Sequence, residues 1–194
     1  CYGGLDLSLT DDMTSFVLYW PHNHALRSWF WLPATTIAKR PEYRDWHRQG
    51  FLQQTPGNVV DFAYIESQIL VAAKQWSLAA VGYDPWRATE MAVRLRENHG
   101  VNMMECRQGF LTLSAPAQLF ERLIVGGNLR PHPNKVLYWH AGNATVVSDP
   151  AGNIKPVKPS GTEKVDGIVA SIMALAAANS APPPKPAPKI WSIG

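Results

Sequence analysis

The chain is poor in cysteine: 194 residues contain two, Cys1 and Cys106. Two thiols so far apart make no disulfide scaffold and lack the paired spacing of a zinc site, so a reducing compartment is expected. Long apolar runs are missing as well. None reaches the roughly 18 residues that would span a bilayer, so no membrane partner is expected. No basic segment followed by an apolar one opens the chain, which argues against a secretory signal. No G-x-x-x-x-G-K-[ST] occurs anywhere, which excludes a P-loop. His22, His24, His132 and His140 lie without ligand spacing and read as structural or exposed. A strong excess of one charge is lacking too, since the net charge is +3, and this permits a nucleic-acid partner without demanding one.

What is present is a globular composition, 46% apolar and 17% charged, in a length that suits one domain with its own core. That domain is expected over 1–178. The stretch 179–194 contains APPPKPAPK and reads as a polyproline-like tail or linker. Tyr2 to Thr10, Thr14 to Trp20 and Ala25 to Leu32 read as three sequential strands, the last two joined by the hairpin loop PHNH. A broken helical stretch containing Pro41 ends at Gly50. After the loop QQTPGN, Asp61 is the expected cap of a helix with Ile65, Ile69, Leu70, Ala73 and Trp76 at helical spacing. Leu78 to Tyr83 is a short strand, Thr89 to His99 a helix stopped by Gly100, and Asn102 to Arg107 another strand. Ser114 to Val125 is helical, with Pro116 placed in the first turn, where proline is tolerated. LYWHA and ATVVS read as β-like pieces of an excursion, and the last helix opens near Asp166. The order implies an α/β fold, one mixed sheet of three antiparallel strands followed by parallel strands, with helices on both faces.

Asp6 stands within the first strand, between Leu5 and Leu7, and shares its face with Gly4 and Ser8. An ionised carboxylate there is costly unless it is paired or holds a metal. Asp84 ends another strand in Asp84-Pro85 and Asp166 lies in the first turn of a helix. Taken singly, each also suits a turn or a helix start. In a mixed sheet the strands of Asp6 and Asp84 can be neighbours, with the final helix bringing Asp166 to both.

The segments GGLDLS, YDPWRATEMAVRLRE and KVDGIVASIMAL, with this order of elements, resemble the ribonuclease H-like nuclease superfamily, and within it the nuclease domain of the terminase large subunit of tailed phages. The resemblance runs to about Ala178. It implies a ribonuclease H-like mixed sheet and an endonuclease that cuts concatemeric double-stranded DNA during genome packaging, in the host cytoplasm. It also implies that the chain is the carboxy-terminal part of a longer subunit, whose amino-terminal packaging ATPase is not in this sequence. Double-stranded DNA, that ATPase domain, the small terminase subunit and the portal are the expected partners.

Phosphodiester hydrolysis needs an activated water, a polarised phosphorus and a stabilised leaving oxygen, which two Mg²⁺ or Mn²⁺ ions roughly 4 Å apart supply together. Such hard cations take oxygen ligands. Asp6 is expected to bridge the two ions, with Asp84 and Asp166 each holding one. Lys164, Arg87 and Trp86 are candidate phosphate or DNA contacts. Asp11 and Asp12 read as hairpin residues with an outside chance of touching metal, Asp149 as a turn residue and Glu66 as solvated. Trp20, Trp29, Trp31 and Trp76 read as core. Two other classes compete. The sugar kinase and actin-like ATPase fold also opens with an Asp, yet LSLTDD lacks its glycine-rich phosphate turn, and a non-catalytic docking module would not need all three acids. Within the superfamily a resolvase or transposase remains an alternative.

Overall fold

The computed structural model describes residues 1–161 and 163–180, so the expected Pro-rich tail, apart from Asn179 and Ser180, lies outside the described residues. One mixed sheet organises the molecule. Strands β1 (Tyr2–Asp6), β2 (Thr14–Trp20) and β3 (Ala25–Pro33) pair antiparallel in sequence. Strand β5 (Ala80–Tyr83) then runs parallel beside β1, and β6 (Met103–Glu105) parallel beside β5. On the other side of β3 two short segments pair parallel with it, β4 (Gln53–Thr55) at its end and β7 (Arg130–Pro131) at its start. The sheet order is β4-β3-β2-β1-β5-β6. The strands β1, β3, β4, β5 and β6 therefore end at one common edge, where α/β sheets place ligands.

Alternation along the strands sorts the core onto two faces. Leu5, Phe16, Leu18, Trp31 and Val81 pack with α3 (Phe62–Trp76) and α4 (Pro85–His99), which carry Ile65, Ile69, Met91 and Leu95. Val17, Tyr19, Leu26, Phe30 and Leu32 face the other way. They pack with α5 (Phe110–Val125), α6 (Lys135–Asn143) and α7 (Asp166–Ser180), and with Ile37 of α1 (Ala34–Lys39) and Tyr43 of α2 (Pro41–Arg48). Trp31 is fully buried, while Trp20, Trp29 and Trp76 are half-buried and packed together at the margin of the first face. The α7 helix is buried nearly all round, as expected of a helix between a sheet and other helices.

Two glycines set how close α7 comes. Gly4 and Gly82 are partners across β1 and β5. A Cβ on Gly4 would lie 1.9 Å from the Ala170 carbonyl oxygen, and one on Gly82 would lie 2.7 Å from that of Met173. The backbone of α7 thus occupies the space their side chains would fill. Gly4 and Asp6 lie on the same face of β1, so this approach also carries the start of α7 to Asp6.

Several elements differ from the sequence expectations. Strand β1 stops at Asp6 instead of running to Thr10, because the Thr14 hydroxyl binds both the backbone N–H and the carbonyl of Ser8 and draws the chain off the ladder. Asp6 is therefore at a strand end, on the open edge. Helix α4 starts at Pro85, with Asp84 as its cap. Helix α5 starts at Phe110, so Pro116 is in its interior and not in its first turn. LYWHA is helical, because Asn134 accepts from the N–H groups of Val136 and Leu137 and caps α6. Of the two pieces only ATVVS is β: its Thr145–Ser148 pairs as β8 with β9 (Ile154–Val157) in a separate hairpin. QQT of the expected loop forms β4.

Candidate active site

Three elements deliver one carboxylate each to the carboxyl edge of the sheet. Asp6 ends β1, Asp84 follows β5 and Asp166 opens α7. All three line one cavity of about 420 Å³ together with Asp12, Gln108, Trp86 and Arg87. The β8–β9 hairpin closes one side with Lys155 and Lys158. Among the described residues, no three acidic, histidine or cysteine side chains are grouped so that together they could hold one metal ion. The acids are instead arranged around an open pocket.

The electrostatics of these acids are unfavourable as they stand. Burial pushes the Asp6 carboxyl well above the usual carboxylate range, and the charges of Asp166 and Asp84 add to the rise. Its Oδ1 accepts from the Gln108 side-chain amide at 3.2 Å, which opposes that rise only partly. Asp166 is pushed up to about 7, first by burial and then by the charge of Asp12. Among the described residues, its Oδ2 is buried with no hydrogen-bond partner. An orphaned carboxylate oxygen beside another acid is a place where a cation would lower the cost of burial. Asp84 is partly satisfied, since its Oδ1 accepts from Trp86 N–H at 3.0 Å and caps α4.

Helix packing aims Asp166. Gly167, next to it, donates its N–H to Nδ1 of His140 at 2.9 Å. His140 is fully buried, and burial holds its imidazole down at about 3, so the ring is neutral and accepts through Nδ1. A Cβ on Gly167 would meet Phe30 and His140 at 2.7 to 2.9 Å, so only glycine lets the first turn seat there.

Among the candidate contacts, Trp86 and Arg87 lie at the pocket, Trp86 being 85% exposed. Lys164 does not line it. Its buried side chain donates to Asp12 Oδ1 at 2.6 Å, and Lys158 binds the same oxygen at 3.0 Å. Asp12 therefore ties the β8–β9 hairpin and the approach to α7 to the loop after β1. The two lysines, through their hydrogen bonds, hold its carboxyl below the usual range against the opposing effect of burial. Sequence reasoning had given Asp12 only a minor part and missed Gln108. Nothing in the local pattern marks Gln108 apart from its place just after a strand that ends at the site. Asp149 is a turn residue, accepting from the N–H groups of Ala151 and Asn153. Glu66 is not merely solvated, since it accepts from Arg94 at 3.0 Å. His140 is structural, as the cap just described.

A ribonuclease H-like mixed sheet with carboxylates gathered at its carboxyl edge defines the class: an α/β fold of the nuclease type. The sequence model of the family described as terminase large subunit, endonuclease domain, matches residues 1–181, and the chain belongs to that family. It is 32% identical over 191 residues to the terminase large subunit of Enterobacteria phage HK97, covering 92% of this chain and 37% of the relative. It is 27% identical to protein YmfN of Escherichia coli K12, covering 90% of this chain and 42% of the relative. The chain thus spans about two fifths of the curated relatives it matches. The crystal structure of the HK97 large terminase superposes with a TM-score of 0.80 at 31% identity, covering 91% of this chain and 39% of that one. The large terminase nuclease of thermophilic phage G20c with bound magnesium gives 0.59 at 12% identity, over 90% and 79% of the two chains, which is likeness of fold.

Proposed function

We propose that the chain is a metal-dependent endonuclease that hydrolyses the phosphodiester backbone of double-stranded viral DNA during packaging. The observation that carries this reading is the orphaned Asp166 oxygen in the pocket that Asp6 also lines, two carboxyls raised by burial and by neighbouring acids. A pair of Mg²⁺ or Mn²⁺ ions fits such a donor set, and the magnesium-bound G20c nuclease of like fold supports a divalent ion. Asp6, whose carboxyl feels the charges of both Asp84 and Asp166, would hold such ions together with those two acids. Three carboxylates leave the remaining positions for water and phosphate oxygens, which is consistent with an open pocket. When bound, such ions would activate water and offset charge on the phosphate.

The rest of the chemistry belongs to the chain. Gln108 holds Oδ1 of Asp6. Lys155, Lys158 and Arg87 supply positive charge at its rim, where a phosphate backbone would lie. Trp86 stands exposed beside them as a wall for the DNA path. Lys164, held by Asp12, acts in this reading by keeping that loop in place instead of touching the scissile phosphate. The working partners are double-stranded DNA, a packaging ATPase domain joined to this one, the small subunit and the portal, in the host cytoplasm.

The test is nicking of supercoiled plasmid. Mg²⁺ or Mn²⁺ should support cleavage and a chelator abolish it. Asp6→Asn, Asp84→Asn and Asp166→Asn should each lower the rate by at least about a thousandfold, on the order of what a key electrostatic group contributes, with the fold retained by circular dichroism. Cleavage that persists in chelator, or in all three variants, would end the proposal.

A further inference from the structure

Directly across the sheet from Asp6 stands Ser15. In the register of the strands Asp6 of β1 faces Ser15 of β2, and Ser15 faces Phe30 of β3. Residues opposed in this way on antiparallel strands send their side chains to the same face, so the three form one row on the face that α7 covers. Phe30 is the ring against which Gly167, the neighbour of Asp166, is seated.

Ser15 is 0% exposed, and among the described residues its hydroxyl has no hydrogen-bond partner. A buried hydroxyl left unpaired costs free energy that alanine, little smaller, would not incur. Close packing on this face accounts for a small residue at the position but not for its oxygen. Thr14, the residue before it, points to the other face, and its hydroxyl is used twice, by the N–H and the carbonyl of Ser8. Opposed Cβ atoms on antiparallel strands lie about 4.5–5.5 Å apart, which puts a serine hydroxyl and an aspartate carboxyl within one hydrogen bond of each other after side-chain rotation. Gln108 already donates to Oδ1 of Asp6, and a carboxylate accepts further donors at both oxygens.

We propose that Ser15 is a positioning residue of the metal site: its hydroxyl donates to the Asp6 carboxylate when that carboxylate holds a divalent ion, and fixes how the acid is presented. The ion itself rests on the nuclease reading. Carboxylates that ligate metals are in turn held by hydrogen bonds, and a donor contributes more to a charged acceptor than to a neutral one. Ser28 supplies a control on the same face. It faces Val17 instead of an acid, and its hydroxyl is likewise buried without a partner among the described residues.

The experiment titrates Mn²⁺ into the chain and follows the Tm, with EDTA as the zero point. Ser15→Ala and Ser28→Ala each delete one unpaired oxygen, so in EDTA both should melt at or above the parent. In Mn²⁺ they should part. The concentration needed for a given rise in Tm should be about tenfold higher for Ser15→Ala and unchanged for Ser28→Ala. Ser15→Cys, which keeps a weak donor at similar size, should fall between the parent and Ser15→Ala. If Ser15→Ala does not fold, Ser15→Cys carries the test. A Mn²⁺ requirement equal to the parent's in whichever variant is measured overturns the proposal, and a loss of Tm already complete in EDTA would make the hydroxyl a structural group. A parent whose Tm does not respond to Mn²⁺ removes the nuclease reading and this proposal together. A parent that responds, with Ser15→Ala responding alike, removes this proposal alone.

Discussion

Asp166 shows what a buried acid does to the free energy of its own fold. Its carboxyl titrates near 7 in the folded chain against 3.8 for an ordinary Asp, so the folded state binds its proton more tightly. The associated stability is fully present below 3.8 and is lost as pH rises through about 7. Asparagine cannot ionise, so in chelator the stability of Asp166→Asn relative to the parent should grow between pH 5 and pH 8. Urea titrations at both pH values check this, and a flat difference would contradict the burial argument. His140 works in the opposite sense. Its folded value of about 3 lies below the ordinary 6.5, so its contribution is present above 6.5 and lost as pH falls toward 3. His140→Ala removes the acceptor for Gly167 N–H and the ring against Phe30, 5.0 Å between centroids. The expected loss is ~2–4 kcal/mol at pH 7, with a smaller fall in stability between pH 7 and pH 5 than in the parent.

At the scale of elements, the contact between α7 and the glycine pair decides the geometry of the site. The atoms that added methyl groups would strike are backbone carbonyls of α7, which cannot rotate away. Gly4→Ala should cost ~3 kcal/mol or more and Gly82→Ala ~1–3 kcal/mol, measured by urea unfolding, with nicking reduced in whatever folds. Near-neutral results for both would show that α7 is not seated on these glycines. The same scale shows why some elements were illegible. β-branched and aromatic residues in VLYW favour strand, but the Asn134 cap and the burial of Val136, Leu137 and His140 on one side of a helix prevailed. The strand of Gln53–Thr55 exists because the end of β3 offers a parallel partner, which no local pattern announces. Pro116 reads as a first-turn residue only if the helix begins near it, and Gly109 instead starts the helix earlier.

Across the whole molecule, three distant segments bring acids to one pocket, where burial and neighbouring charge disfavour the ionised forms of Asp6 and Asp166, and the proposed function fills it with cations. Divalent ions should therefore stabilise the folded chain as well as activate it. Millimolar Mg²⁺ or Mn²⁺ should raise the Tm of the parent more at pH 8 than at pH 6, because protons compete for the same oxygens. Asp6→Asn should show little of this shift. Calorimetric or fluorescence melts check it, and an equal shift in Asp6→Asn would place ion binding elsewhere.

The three opening strands, the apolar face of α3 and its Asp61 cap were set by residue type and period alone, because each depends on neighbours within a few positions. Asp6 stood out as a carboxylate within an apolar strand, whereas Asp84 and Asp166, each also suited to a turn or helix start, were singled out by their joint spacing and the family resemblance. Tertiary structure alone decided that β5 lies parallel to β1, that two glycines admit the backbone of α7, and that Asp12 rather than open solvent receives Lys164. Those outcomes rest on contacts between residues some 80 to 150 positions apart. Periodicity names the face a side chain takes, but which other element fills the space above that face depends on the packing of the complete chain.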